Sequence, residues 1–246
     1  MRRPIIGITT WRRTLTTDPD QTTDLDTSAH AYQLAVVRAG GLPVLLPHTA
    51  PDLADRYLEV IDGLIVAGGS DIMPSRYGCT EKYEGEIYDA NRDKNEINLL
   101  RAAKAADLPT LGICRGLQAA AVAFGGTLIH DIPVTDVHPR FGEADYDPNW
   151  RHDVEITGGS RLARLIGQQA RVNSLHHQAV QDPGELRVIG HAADGIIEAC
   201  DHEDWWFIGV QWHPERMIGE SGKARQLFQG LVSRARLDMT SSRLAS

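Results

Sequence analysis

The run from Ala106 to Gly126, ADLPTLGICRGLQAAAVAFGG, decides how the rest of the chain is read. Leu108 to Ile113 is a short, mostly apolar segment of strand length, and Leu117 to Phe124 is alanine-rich and favours helix. Gly125-Gly126 stops that helix. Between the two stands Gly112-Ile113-Cys114-Arg115-Gly116. Strand, Gly-x-nucleophile-x-Gly, helix is the layout of a nucleophile elbow, here with cysteine in the serine position. A sharp strand-to-helix turn crowds the backbone, so Gly112 and Gly116 leave room where a Cβ would collide. The turn sets Cys114 at a helix amino terminus, where partial positive charge favours the attacking thiolate. The Arg115 N–H, in the first helical turn, can donate to an oxyanion. Taken alone, G-x-C-x-G fits a buried structural cysteine as well as a nucleophile.

Composition narrows the field. At 246 residues the chain has ample length for a core, and 42% apolar with 24% charged residues is ordinary for a globular protein. A formal charge of −8 argues against a general nucleic-acid surface. No apolar run reaches the ~18 residues of a membrane span, and the apolar segment behind MRRPIIGITTWRR is too short for a signal peptide. Three widely spaced cysteines, Cys79, Cys114 and Cys200, suit a reducing cytoplasm better than a disulfide framework.

Along the chain, Pro4–Thr9, Leu42–Leu46 and Ile61–Ala67 read as strands. Trp11–Thr27, polar and Thr- and Asp-rich, reads as a loop. Thr27 or Ser28 is placed to cap a helix through Arg38, and Pro51–Glu59 predicts a short amphipathic helix. Gly68-Gly69-Ser70-Asp71 follows the third strand; it is either an ordinary glycine turn or a backbone N–H cradle. Cys79–Asp89 and Pro133–Arg151 read as loops bordering a pocket. Ala90–Ala105 predicts a helix whose Arg92-Asp93 and Glu96 read as capping and solvent-facing charges. Thr127–Ile132 and His152–Ile156 are expected as strands, and Ser160–Ile166 as a helix. Leu186–His191, Ile196–Ala199 and Trp206–Gln211 close the strand set, two of them as a hairpin around 201–204. Glu220–Ala235 predicts a terminal helix and Leu237–Ser246 a frayed tail. With no repeats or linker, residues 1–246 are expected to form one domain.

The last strand runs into Trp212-His213-Pro214-Glu215. A cysteine nucleophile wants a base within hydrogen-bond reach, and that base wants an orienting carboxylate. Pro214 holds His213 extended, and Glu215 can reach back to the imidazole. An isolated His-Pro-Glu more often forms a surface turn; at a strand end late in the chain, after a cysteine elbow, it makes Cys114, His213 and Glu215 the candidate catalytic residues, a set that the family resemblance described below implies. Gln118, one turn beyond the nucleophile, falls on the same helix face. In Asn173-Ser174-Leu175-His176-His177-Gln178 adjacent histidines point apart, and no further ligands sit at metal-site spacing, so no metal is expected.

GICRGLQ resembles the nucleophile motif of the class I glutamine amidotransferase superfamily, and the chain looks like its γ-glutamyl-γ-aminobutyrate hydrolase type, peptidase C26. GGSDIMPSRYG is similar to the family's G-G-x-D-x-x-P-x-x-Y-G, NSLHHQ to its N-S-x-H-x-Q, and Arg92-Asp93-x-x-Glu96 to an R-D-x-x-E pattern. The resemblance runs from Pro4 to the terminal helix. It implies an α/β fold with a mostly parallel central sheet, helices on both faces, flavodoxin-like. It also implies an oxyanion hole from Gly69 and Arg115, and substrate contacts from Gln118, Ser174 and His176. The implied activity is cofactor-free hydrolysis of γ-glutamyl amines through a thioester, with γ-glutamyl-γ-aminobutyrate or a γ-glutamyl polyamine as substrate. Two other readings stand beside it: a glutaminase subunit feeding ammonia to a synthase, and a catalytically silent regulatory module. GGSDIMP and GLQ favour the free-standing hydrolase, for which a homodimer is plausible.

Overall fold

Strand alternation splits the apolar residues between two faces of one sheet. The computed structural model describes residues 2–48, 53–80, 88–139, 147 and 149–244. Its strands are β1 (Ile5–Thr9), β2 (Trp11–Asp18), β3 (Gln21–Thr27), β4 (Leu42–Leu46), β5 (Gly63–Val66), β6 (Thr110–Ile113), β7 (Thr127–Ile129), β8 (Arg151–Ile156), β9 (Gln169–Asn173), β10 (Ala179–Asp182), β11 (Arg187–Ala192), β12 (Ile197–Asp201) and β13 (Phe207–Val210). The helices are α1 (His30–Arg38), α2 (Ala54–Leu58), α3 (Ala90–Ala105), α4 (Arg115–Ala123), α5 (Arg161–Ile166) and α6 (Gly222–Leu244).

The central sheet runs β4-β1-β5-β6-β13-β12-β11-β8-β9, and β10 joins β12 to β7. From β4 to β13 every pairing is parallel; from β13 onward the pairings are antiparallel. The parallel half is the α/β core that the sequence predicts, and it carries the elbow. Ile65, Leu111, Ile113, Ile208 and Val210 point into one apolar cluster with α1, α5 and α6. Leu64, Val66 and Phe207 point the other way, against α2, α3 and α4. Helices therefore cover both faces, and central strands buried on both sides read as continuous apolar runs. In α6 the buried residues Ala224, Leu227, Phe228, Leu231, Val232 and Ala235 fall at three- and four-residue steps, the stripe of a helix packed on one side.

Several expectations need correcting. Trp11–Thr27 is no loop: β2 and β3 pair antiparallel in register from Trp11↔Thr27, turning at Pro19-Asp20. Its threonines supply β-branched residues without an apolar face, so the hairpin forms by strand propensity and pairing while both sides stay largely exposed. The α1 N-cap is Ala29 with no side-chain cap, and Thr27 instead donates to the Trp11 carbonyl across the hairpin. The helix expected from Pro51 begins at Ala54, and residues 49–52 lie outside those described. The strand expected to Ile132 ends at Ile129, and β10 has no counterpart in the sequence reading. Leu237 to Leu244 continues α6 instead of fraying. The predicted loops fall partly on residues 81–87, 140–146 and 148, outside those described. The closing hairpin is as expected, with β12 and β13 antiparallel around 202–206.

Candidate active site

The nucleophile candidate stands on a backbone that few residues adopt. Cys114 joins β6 to α4 with φ 53° and ψ −108°, a left-handed conformation that ordinarily favours glycine. Close packing of the turn forces it: a Cβ on Gly116 would run into the Val66 carbonyl of β5, and one on Gly112 would lie 2.8 Å from the Gly116 oxygen. The elbow geometry is thus built by the two glycines that flank the cysteine. The Cys114 N–H donates to the Val210 carbonyl at 2.7 Å, and its own carbonyl accepts from Leu117 and Gln118 as α4 begins.

The neighbouring strand β13 delivers the base. After Val210 come Gln211, whose Nε2 reaches Cys114 Sγ at 3.5 Å, and then Trp212 and His213. His213 is fixed from both sides of its backbone by Asn173: its N–H donates to Asn173 Oδ1 at 2.8 Å, and its carbonyl accepts from Nδ2 at 3.0 Å. Its Nδ1 meets Glu215 Oε1 at 2.7 Å, which leaves Nε2 for the cysteine. Burial alone would lower the imidazole's pKa. The Glu215 carboxylate and the charged form of Cys114 outweigh it and push His213 up to about 10. The Glu215 carboxylate thus favours the imidazolium form of His213. Cys200, by contrast, is a buried thiol pushed up to about 12 by burial and Asp201.

The Gly68-Gly69 turn crosses directly over this pair. A Cβ on Gly68 would lie 2.7 Å from His213 Cε1 and 3.6 Å from Cys114 Cβ. Gly68 N–H donates to the Tyr32 hydroxyl at 3.0 Å, and burial followed by the Glu215 charge pushes that phenol's pKa well up, keeping it protonated. Gly69 has φ +155°, and any side chain there would overlap the Arg92 guanidinium. The turn is held from behind by Arg92, whose Nη2 donates to the carbonyls of Ala67 at 3.1 Å and Gly68 at 2.9 Å.

Arg92 belongs to a buried ionic box that corrects the reading of Arg92-Asp93-x-x-Glu96 as solvent-facing charge. Arg92, Asp93, Glu96 and Arg115 are all at most 1% exposed. Arg92 Nε pairs with Glu96 Oε1 at 2.9 Å; Arg115 forks onto Glu96 Oε2 and onto Asp93 Oδ1. Thr9 donates to Glu96 at 2.8 Å, and Met73 N–H to Asp93 at 3.0 Å. Burial would raise the Glu96 pKa, but Arg115 and Arg92 hold it below the ordinary value; for Asp93 burial prevails and its pKa rises. The box joins α3 to the residue after the nucleophile and to the glycine turn. A signal for it was present: Arg92, Glu96, Leu99 and Ala103 step along one helix face, so the charges share the stripe of the buried apolar residues.

A cleft of about 820 Å³ opens on the His213 side, walled by Gly68, Gly69, Tyr32 and His213 and by Trp11, Arg12 and Arg13 of the hairpin. His48, fully buried, ties that hairpin to α3 by facing Asp26 at 3.3 Å and Asp89 at 3.1 Å. Gln118, Ser174 and His176 do not line this cleft. Gln118 donates to the Gln178 carbonyl at 3.0 Å and to Gln211 Oε1 at 3.2 Å, so it supports Gln211 from behind. Ser174 is 1% exposed, and His176 turns inward toward Gln178 and Glu198. The sequence reading passed over Gln211, Tyr32 and the hairpin arginines. Of these only Gln211 had a cue, its place in the strand that ends at His213.

Comparison with known proteins agrees with this architecture. The sequence pattern of the peptidase C26 family matches residues 4–215. The γ-glutamyl-γ-aminobutyrate hydrolase of Escherichia coli O157:H7 is 34% identical over 246 aligned residues, covering 95% of this chain and 94% of its own. The protein NtpR of Enterococcus hirae is 32% identical, covering 93% and 98%. Among solved structures, a Thermoplasma acidophilum protein assigned as one of the subunits of GMP synthase superposes with a TM-score of 0.67 over 99% of both chains. At 16% identity that likeness concerns the fold alone.

Proposed function

The chain belongs to the peptidase C26 family, glutamine amidotransferase-like hydrolases, and we propose that it cleaves the γ-glutamyl amide bond of γ-glutamyl amines. The observation that carries this reading is Cys114 on its left-handed elbow beside an imidazole that Glu215 orients at 2.7 Å, under the Gly68-Gly69 turn. The Cys114 thiolate attacks the γ-carbonyl carbon, and the tetrahedral oxyanion takes the N–H groups of Gly69 and Arg115. As the C–N bond breaks, the His213 imidazolium gives its proton to the departing amine. The resulting thioester is attacked by water, whose proton returns to His213, and glutamate leaves as the thiolate is restored. No cofactor takes part in these steps.

The leaving amine departs beside His213, so the cleft wall there selects it. Arg12, Arg13 and Arg216 line that wall. Its acids are already engaged: Asp89 with His48 and the α3 amino terminus, Glu215 with His213. A net positive wall favours an amine bearing a carboxylate, such as γ-aminobutyrate, over a cationic polyamine.

The test is glutamate release by the purified protein from γ-glutamyl-γ-aminobutyrate, γ-glutamylputrescine and glutamine, with Cys114→Ala alongside. Turnover of the carboxylate-bearing amide ahead of the other two, absent in Cys114→Ala, is the expected result. Preference for glutamylputrescine would overturn the charge assignment. Glutamine as the sole substrate would point to ammonia delivery instead. Release that survives in Cys114→Ala would remove the nucleophile.

A further inference from the structure

Around Glu198, four side chains from separated parts of the sequence converge, of which only His176 belongs to a motif named above. Glu198 of β12 is fully buried, and its Oε1 is approached by His138 Nε2 at 3.1 Å, His152 Nε2 at 3.4 Å and His176 Nε2 at 3.5 Å. Ligand atoms of His138, His152 and Glu198 all lie within 4.8 Å of one another. The three histidines are at most 5% exposed. Ring centroids of His138 and His152 are 4.6 Å apart, and those of His138 and His176 5.1 Å.

Hydrogen-bond logic exposes a deficit at the centre. His176 Nδ1 faces the Gln178 carbonyl at 3.0 Å, so that nitrogen carries the ring's proton and Nε2 turns a lone pair toward the carboxylate. His138 Nδ1 faces Asp194 Oδ2 at 2.7 Å and its Nε2 faces Glu198 Oε1 at 3.1 Å, so a carboxylate stands at each ring nitrogen. Among the described residues, both nitrogens of His152, His176 Nε2 and Glu198 Oε2 are buried without a hydrogen-bond partner. Acceptors gathered round a carboxylate in a dry interior are costly unless a cation lies among them.

We propose that His138, His152 and Glu198 bind a divalent transition-metal ion of the zinc type. Metal–ligand bonds of about 2.0–2.2 Å imply tetrahedral edges of roughly 3.3–3.6 Å, close to the 3.1 and 3.4 Å at which His138 and His152 stand from Glu198. Imidazole with one carboxylate suits Zn²⁺ or Co²⁺ better than Mg²⁺ or Ca²⁺, which favour oxygen donors. Asp194 supplies the outer carboxylate that fixes a metal-bound imidazole, and Thr135 donates to it at 2.8 Å. The ion would pin the segment before Arg151, β8 and β12 together. The Gln211 N–H donates to the Glu198 carbonyl at 2.8 Å, and the Gln211 side chain reaches Cys114, so the clamp braces the wall behind the nucleophile. No bond of the substrate is made or broken there.

The experiment uses the full chain carrying Cys114→Ala, so that the nucleophile cannot supply a ligand. It is stripped with a picolinate chelator, titrated with Co²⁺ under visible absorption, challenged with Zn²⁺, and melted with and without Zn²⁺. Expected are intense bands of a low-coordinate cobalt site saturating at one equivalent, their displacement by Zn²⁺, and a higher melting temperature with Zn²⁺. Asp194→Asn should weaken Co²⁺ binding about 10–100-fold while leaving the far-ultraviolet circular dichroism unchanged. His152→Gln should abolish the bands. Absent bands and a melting temperature indifferent to Zn²⁺ would overturn the proposal and leave a proton-sharing cluster. Bands that persist in folded His152→Gln would overturn the ligand assignment. The titration of the parent protein decides the matter even if the His152 variant does not fold.

Discussion

Under the elbow, Arg92, Asp93, Glu96 and Arg115 bury two guanidinium groups against two carboxylates; behind β12, three imidazoles crowd the single carboxylate of Glu198. Both clusters are buried, and each reaches Cys114, the box through the adjacent Arg115 and the imidazoles through Gln211. They differ in how their charge is closed. Each fork of Arg115 finds a carboxylate oxygen, and Glu96 accepts from Arg92, Arg115 and Thr9, so two guanidinium groups meet two carboxylates, while Arg92 Nη1 and Arg115 Nε have no hydrogen-bond partner among the described residues. The imidazole cluster sets His138 between Asp194 and Glu198, turns the His176 proton outward to the Gln178 carbonyl, and keeps the His176 Nε2 lone pair inside. Arginine cannot do this, because it carries only donors and stays charged. A buried site made of arginine and carboxylate is a strut; one made of histidine and carboxylate is open to a proton or an ion.

The sharpest way to break this comparison is to remove one carboxylate from each cluster. Glu96→Ala leaves Arg92 and Arg115 buried and short of a partner, and should cost about 3–5 kcal/mol. Glu198→Gln, in metal-stripped protein, keeps the shape and removes the carboxylate charge, and should cost only about 1–3 kcal/mol. Urea unfolding near neutral pH measures both. Equal losses would mean that the box is no more a strut than the cluster.

Smaller in scale is the effect of the box on chemistry. Gly69→Ala puts a Cβ into the Arg92 guanidinium and, on the proposed oxyanion assignment, displaces the Gly69 N–H donor. Since one lost oxyanion donor costs about 10²–10³ in rate, kcat should fall by that factor. Unaltered kcat in Gly69→Ala would detach the box from the oxyanion hole. Below that comes the cleft wall, where Arg13→Gln should raise KM for γ-glutamyl-γ-aminobutyrate about tenfold and leave glutamine unaffected, one charge-assisted contact being worth about 1.4 kcal/mol or more. A uniform change for both substrates would place Arg13 outside the leaving-group pocket.

Much of the parallel half was legible because its physics is local. Short apolar strands, glycines around Cys114 and a proline after His213 each state their geometry within a few residues. The box was misread because charge at a helix start suggests capping, which Asp89 does provide by accepting from Asn91 and Arg92 N–H groups. Only the burial of Leu99 and Ala103 on the same face discloses where Arg92 and Glu96 point. The hairpin was misread because threonine and aspartate carry no apolar period, while its pairing depends on β propensity and on His48 bridging Asp26 to Asp89. The imidazole cluster was invisible for another reason: residues 138, 152, 176 and 198 share no spacing, and only the antiparallel half of the sheet gathers them.

A third, half-open cluster gives the smallest effect and calibrates the other two. His177 Nε2 meets Asp71 Oδ2 at 3.0 Å and its Nδ1 meets Asp131 Oδ1 at 3.3 Å, linking the segment after the glycine turn to the chain beyond β7. The hydrogen bond to Asp71 leads in pushing its pKa up to about 9, against the opposing pull of partial burial. Because the folded value lies above the ordinary ~6.5, the stabilisation is complete below about pH 6.5 and fades as pH rises through about 9. The imidazole is about a third exposed, so screening keeps the effect to about 1 kcal/mol or less. The melting-temperature gap between the parent protein and His177→Gln should therefore be widest near pH 6 and close toward pH 10. A gap that stayed constant would mean His177 holds the two aspartates without charge. It would then act as a strut like the arginine box, and a histidine between carboxylates would not by itself mark a titrating site.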